Sequence, residues 1–266
     1  MIRDFTLGQF YPANSYIHKL DSACKIIFTF IYIIFVFIAD NFFGYAFLAI
    51  FTFIIIKISK VPLKLILRGL KPVLIFMAIT AVLNMFMTGE TVIWSYGFLK
   101  ITSEGLVYGI KMILRIAFLV TGTSILTFTT SPVALTDGLE KIFKPLGIFH
   151  FPYHEIAMMM TIALRFIPTL LEETDKIMKA QTARGADFET GNLITRAKAL
   201  IPLLIPLFIN SFKRADELAT AIESRCYNGG VDRTRMNDSK AGLSDAVGTV
   251  VMLIFGAIII LLNLLV

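Results

Sequence analysis

A chain of 266 residues that is 56% hydrophobic, carries 24 Phe and has a mean hydropathy of +0.77 is more apolar than soluble domains, which run roughly 45–50% apolar, so it reads as a membrane protein. More than half of its Lys and Arg lie between Lys141 and Lys240; with no basic run interleaved with stacking aromatics, the net +6 is a topology signal and no nucleic-acid partner is expected. The two cysteines, Cys24 and Cys226, are far apart and form neither a disulfide framework nor a metal-ligand spacing.

The first residues, Met1 to Lys25, are mixed and polar, and no small-residue cleavage site follows the first apolar run, which is therefore expected to stay as an anchor. Ile26–Ala39, extended by Ala23 and Cys24, is that run. Asp40-Asn41 separates it from Phe42–Ile56, which is short against the ~20 residues a span needs. Pro72–Met87 and Gly105–Phe128 follow, the latter interrupted by Lys111 and Arg115, and Ala246–Val266 is the longest clean run. Spans are expected at about 23–40, 42–58, 72–88 and 105–128, forming an N-terminal membrane part over 1–130, with a C-terminal span in 241–266.

Loop charge sets the expected orientation. The link from Lys57 to Lys71 holds Lys57, Lys60, Lys64, Arg68 and Lys71, whereas Thr88 to Glu104 holds Lys100 against Glu90 and Glu104. The first link is expected inside and the second outside. The N-terminus and residues 131–240 then fall in the cytoplasm and the C-terminus outside.

Residues 131–240 carry helix signals. Ser131-Pro132 reads as a cap followed by a first-turn proline, and a short amphipathic helix (about 132–144) ends at Pro145 and Gly147. A second (about 153–184) starts near Pro152. Ile156, Met160, Ala163, Ile167, Leu170 and Ile177 fall on one stripe, and Glu172/Lys176 and Asp175/Lys179 form acid-first pairs on an exposed face. A third (about 193–225) has the stripe Ile194, Ala197, Ile201, Leu204, Phe208, Phe212, Ala215, Ala219 and Ile222, bent by Pro202 and Pro206. Its apolar part, Ala199–Ile209, is too short to span and is expected to lie against the membrane or other helices. The expected class is all-α: a polytopic membrane protein with about five transmembrane helices and a cytoplasmic region of long amphipathic coupling helices.

Several residues invite a chemical reading and are weighed against a plain one. His150 and His154 lie four apart beside Glu155, but Pro152 between them breaks a helical face, so a loop and helix start is favoured over a metal site. Cys226 beside Arg225 has no visible redox partner and reads as a small packing residue. Lys111 and Arg115, one turn apart in an apolar run, are either functional or snorkelling; no acidic partner within the spans can be named. Met158, Met159 and Met160, with Leu164 and Ile167 on the same helix, are either core or an adaptable contact surface.

The triplets Ala183-Arg184-Gly185 and Ser224-Arg225-Cys226 each place one arginine at the end of a long amphipathic helix. The plain reading is a cation offsetting the helix dipole, worth about 0.3–1 kcal/mol, with Gly185 as a plausible cap. The other is a helix tip whose forked cation grips a partner's carboxylates or carbonyls.

These triplets, with Ala163-Leu164-Arg165-Phe166-Ile167-Pro168, the run from Ala180 through Phe188, Arg214-Ala215-Asp216-Glu217-Leu218-Ala219 and Glu223 through Tyr227, resemble the transmembrane coupling subunit (T component) of energy-coupling factor transporters. Gly8-Gln9-Phe10 and His18-Lys19-Leu20-Asp21 resemble that family's N-terminal segment. There the family commonly continues with a Pro-Arg pair, where this chain has Ser22-Ala23. Residues 191–198 and 227–236 look most like the subgroup in which one module is shared among several substrate-binding subunits. The resemblance implies an ABC-type importer of vitamins or other micronutrients in a bacterial plasma membrane. It implies as partners two cytoplasmic ATPases and interchangeable small membrane substrate-binding subunits (S components), with Arg184 and Arg225 docking on the ATPases. ATP and Mg would be used by the ATPases; no cofactor is expected on this chain. The chain has no phosphate-cradling Gly-x-x-x-x-Gly-Lys-Ser/Thr loop and no catalytic constellation in its spans, so it is not expected to be an enzyme. A self-sufficient secondary transporter or another membrane scaffold is the alternative, though neither internal repeats nor broken polar spans are evident.

Overall fold

The computed structural model describes residues 10–87, 92–96, 99–149, 151–188, 192–227 and 242–265. The described residues form α1 (Tyr16–Lys19), α2 (Ser22–Ile38), α3 (Phe42–Ser59), α4 (Leu63–Met87), β1 (Val92–Tyr96), β2 (Leu99–Thr102), α5 (Ser103–Thr129), α6 (Pro132–Phe143), a 3-10 segment (Lys144–Phe149), α7 (Tyr153–Ala183), α8 (Leu193–Glu223) and α9 (Leu243–Leu265). The described residues divide into two compact units, one within Gly8–Ile142 and Asp238–Val266, the other within Phe143–Asn237.

The expected all-α membrane class holds. Among the described residues, α3, α4, α5, α7 and α9 are long and apolar enough to cross a membrane, while α2, at 17 residues, is shorter. The membership of this set differs from the spans drawn on sequence, since it admits α7 and leaves out α2. Two boundaries also differ. α4 begins at Leu63 and runs through Pro72, because the Lys- and Arg-bearing turns before the proline continue the helix beyond the apolar run. Between α4 and α5 stands an antiparallel hairpin with Trp94 opposite Ile101 and Tyr96 opposite Leu99. Its β-branched and aromatic sequence carries the strand signal, in a stretch that charge counting treats as a loop.

The core of the first unit is aromatic. Phe255 of α9 stacks on Phe51 (centroids 3.9 Å apart) and Phe47 (5.6 Å) and meets Phe35 edge-on, the geometries that ring quadrupoles favour. Small residues admit the rings: the Phe35 ring fills the space a side chain at Gly256 would take, and the Tyr32 ring does the same at Gly122. Tyr32 OH lies 2.8 Å from Thr52 Oγ1, which donates onward to Leu48 O at 2.7 Å, so the buried hydroxyls are satisfied in series. Around this core Phe30, Phe53, Ile75, Leu253 and Leu261 stand exposed, which suits hydrocarbon rather than water.

Polar locks close both ends of this bundle. At one end Lys25 Nζ donates to Thr129 O (3.1 Å), at the end of α5, and to His18 O (3.0 Å), giving two helix-end carbonyls a donor. At the other, Arg115 donates to Asp40 Oδ1 (3.0 Å) and Ala39 O (3.4 Å), with its guanidinium 5.8 Å from the Phe37 ring centroid, and Asn263 Nδ2 donates to Ile38 O at 3.1 Å. The partner of Arg115 therefore lies in the two-residue gap between the first two apolar runs, not within a span. Lys111 Nζ sits 5.7 Å from the Tyr108 ring centroid, an attraction of the snorkelling kind.

The two locks differ in burial, and this sets a prediction. Lys25 is buried, and Lys25→Met leaves two carbonyls without their donor, a loss on the order of 3 kcal/mol. Asp40 is exposed, and Asp40→Asn weakens a solvent-facing pair worth about 0–1 kcal/mol. Thermal unfolding in detergent is expected to show a much larger drop in midpoint for Lys25→Met; equal drops would show that the buried lock has been overvalued.

Candidate functional site: two arginine-tipped helix ends

In the second unit α7 and α8 run antiparallel. Gln181, near the end of α7, donates from Nε2 to Pro202 O (3.4 Å), near the start of α8. That carbonyl is the one whose helical donor Pro206 lacks. Farther back along α7, Glu173 accepts from Asn210 Nδ2 and pairs with Arg214 at 3.1 Å. Glu173 is mostly buried, its side chain 14% exposed, so the charge-assisted bonds fix how the helices cross. With α8 31 residues long, about 46 Å, the C-terminal ends of the two helices lie at opposite ends of the pair.

Both ends carry an expected triplet, and both close in the same way. After α7, Gly185 N donates to Thr182 O (3.0 Å) and Ala186 N to Gln181 O (3.0 Å), with Gly185 at φ +91. After α8, Cys226 N donates to Glu223 O (2.9 Å) and Tyr227 N to Ile222 O (3.3 Å), with Cys226 at φ +56. Each is a two-bond cap in which the residue after the arginine is left-handed and the last carbonyls find donors. Each arginine thus sits at the last position before the chain reverses hand. Arg184, Arg225, Ala183, Ser224, Gly185 and Cys226 are all exposed. Cys226 is thus no packing residue, as its side chain had suggested: it takes the cap position that Gly185 takes in the other helix.

The candidate contact residues on α7 form a mixed face. Met159 and Met160 are exposed, and Met158, Leu164 and Ile167 are half-buried. The broader apolar surface of this unit is on α8, where Leu200, Ile201, Leu204, Ile205, Phe208, Ile209 and Phe212 are exposed. This stripe, on a helix that contains Pro202 and Pro206, is exposed rather than core. His154 lies in the first turn of α7, and His150 falls outside the described residues. Glu173, Asn210 and Arg214, which set the crossing, were not singled out on sequence for that role; Arg214 appeared only as part of a resembling motif.

The shared left-handed cap yields opposite expectations at its two sites. Left-handed backbone costs a residue with a Cβ about 1–2 kcal/mol, so Cys226→Gly is expected to firm the end of α8 by about 1 kcal/mol and Gly185→Val to loosen the end of α7 by about 1–2 kcal/mol. Amide hydrogen exchange of residues 222–227 and 182–186 reads both. Slower exchange in neither variant and faster exchange in neither would remove the cap assignment.

Comparison with known proteins identifies the family. The family model described as cobalt transport protein (CbiQ) matches residues 13–237. An energy-coupling factor transporter transmembrane protein of Ruminiclostridium cellulolyticum is 53% identical over 99% of this chain and 98% of its own length. The protein of the same name from Clostridium kluyveri is 55% identical over 98% and 97%, and that of Bacillus subtilis 46% identical over 88% and 89%. The chain therefore belongs to the family of energy-coupling factor transporter transmembrane components.

Proposed function

We infer that this chain is the non-catalytic coupling subunit of an energy-coupling factor importer for vitamins or other micronutrients. In this reading ATP and Mg are handled by two cytoplasmic ATPases, one on each arginine tip, and the chain links their hydrolysis to movement of a substrate-binding membrane subunit. The observation that carries it is the antiparallel α7–α8 pair with one identically capped, exposed arginine at each far end. One partner cannot readily grip two tips tens of ångströms apart, whereas a pair of ATPases offers two equivalent grips. Arginine suits the task because its planar fork makes several directed hydrogen bonds and keeps its charge when partly desolvated.

The reading places the N-terminus and the coupling helices on the cytoplasmic side and the C-terminus outside, supported by the five cations between Lys57 and Lys71. α7 then works as a coupling helix despite its apolar first half, which carries Glu155 and Arg165 within it. Its methionines and the α8 stripe through Ile201, Leu204, Phe208 and Phe212 are the surface for interchangeable S components. Flexible methionines and a surface without many fixed polar contacts allow one face to accept several partners.

Truncating one partner of a buried charged contact costs about 2–5 kcal/mol. Arg184→Ala combined with Arg225→Ala is therefore expected to cut recovery of the ATPases with the membrane chain by about tenfold or more, while membrane insertion is kept. Lysine at either position is expected to restore recovery only in part, since it keeps the charge and loses the fork. Co-purification from mild detergent, with ATP hydrolysis of the recovered complex, is the measurement. Wild-type recovery and hydrolysis in the double alanine variant would return both residues to helix caps.

A further inference from the structure

α6 (Pro132–Phe143) closes the first stretch of its unit, and at Phe143 the chain enters the unit that holds α7 and α8. Its attachment is built at the expense of a local preference. Asp21 stands at the N-cap of α2, where an Asp side chain ordinarily accepts from the first-turn amides, yet it makes no side-chain cap bond there. Its Oδ2 instead accepts from Lys141 Nζ of α6 at 2.8 Å, with the Asp21 side chain 7% exposed. Its backbone N–H donates to Asp245 Oδ1 of α9 at 2.8 Å, and Asp245 Oδ2 accepts from Gly242 N.

Three residues before Lys141, on the same helical face, Gly138 lies flat on the first turn of α2. A Cβ at Gly138 would stand 2.9 Å from Ala23 N and from the Ser22 carbonyl carbon. The backbone of Ser22 and Ala23 forms this seat. Beside the joint opens a cavity of about 630 Å³, lined among others by His18, Asp21, Lys25, Ala134 and Asp245. The Ile26 side chain also lies against Gly138, so α6 is held here by a close backbone seat, an apolar contact and the ion pair at Lys141.

We propose that Asp21 and Lys141, with Gly138 as the seat, are positioning residues that make α6 and the bases of α2 and α9 one body, so that displacement of the coupling helices enters the membrane bundle through this joint. The inference rests on the coupling-subunit reading above. A sliding contact at this point would absorb the displacement. A buried ion pair with a backbone-to-backbone seat resists sliding, because moving the charges apart forfeits an attraction strengthened by burial.

The test uses the full complex, recovered with its ATPases. Ketone-directed nitroxides are placed at the exposed Val133 of α6 and Leu243 of α9, so that both native cysteines stay. Pulsed EPR distances are taken without nucleotide and after trapping with ATP and vanadate. The wild type is expected to give one narrow distribution, the same in both states. Lys141→Gln is expected to broaden it about twofold and make it depend on nucleotide, and Lys141→Arg to restore the wild-type behaviour. Gly138→Leu, which lifts α6 from its seat, is expected to behave as Lys141→Gln does. Identical distributions for wild type and Lys141→Gln in both states would overturn the proposal, as would a wild-type distance that changes with nucleotide. If no ATPase accompanies the wild-type chain, the coupling reading itself fails, and the joint with it; normal ATPase recovery with unchanged distances removes the joint alone.

Discussion

Glu173, held between Asn210 and Arg214, is the interaction on which the rest of the coupling unit depends. It fixes the crossing of α7 and α8 near their middles, and the antiparallel sense of that crossing sends the two arginine tips to opposite ends. Each tip is then finished by the same two-bond cap. A mostly buried carboxylate that accepts from Asn210 and pairs with Arg214 is costly to pull apart, which resists sliding of α7 against α8. A pair that resists sliding, with a grip at each end, transmits motion between two partners, whereas one that slid would lose it.

The membrane unit is organised by a different constraint. α2 is short, 17 residues or about 25 Å, against a hydrocarbon core of about 30 Å. Its ends must therefore find polar partners within the protein. Asp21 and Lys25 meet α9, α6 and the end of α5 on one side; Ala39 and Asp40 meet Arg115 of α5, and Ile38 meets Asn263 of α9, on the other. Between them the stack on Phe255 fills the bundle with rings rather than polar groups. The locks tie α5, α6 and α9 to one end of this short helix and α5 and α9 to the other.

How much of this was legible depended on the range of the interaction. The apolar runs, the amphipathic stripes and the tips at Arg184 and Arg225 are local patterns, and the helices that carry them stand where those patterns put them. Gly185 announced its cap because glycine is the usual left-handed residue; Cys226 hid the same cap because cysteine is not. The partner of Arg115 was invisible because Asp40 lies 75 residues away in sequence, in a gap that reads as a turn. The Glu173–Arg214 pair was hidden for the same reason, since two charged residues on exposed-looking faces carry no sign of facing each other. The helix α4 reaches back past the apolar run that begins at Pro72, since a proline inside a helix is tolerated where neighbouring groups can serve the freed carbonyl. For the same reason the membership of the membrane-crossing set could not be read off: α2 and α7 straddle the length and charge that separate a span from an amphipathic helix.

The central claim is that the two helix ends grip two separate ATPases. Photo-cross-linking tests it directly: p-benzoylphenylalanine at Ala183 in one variant and at Ser224 in another, each beside its arginine and exposed, with adducts from the native membrane identified by mass spectrometry. The account predicts that each position forms an adduct with an ATPase subunit, and that a chain carrying both labels captures two ATPase copies at once. Adducts confined to lipid or to the chain itself, or a doubly labelled chain that never captures more than one ATPase, would contradict it.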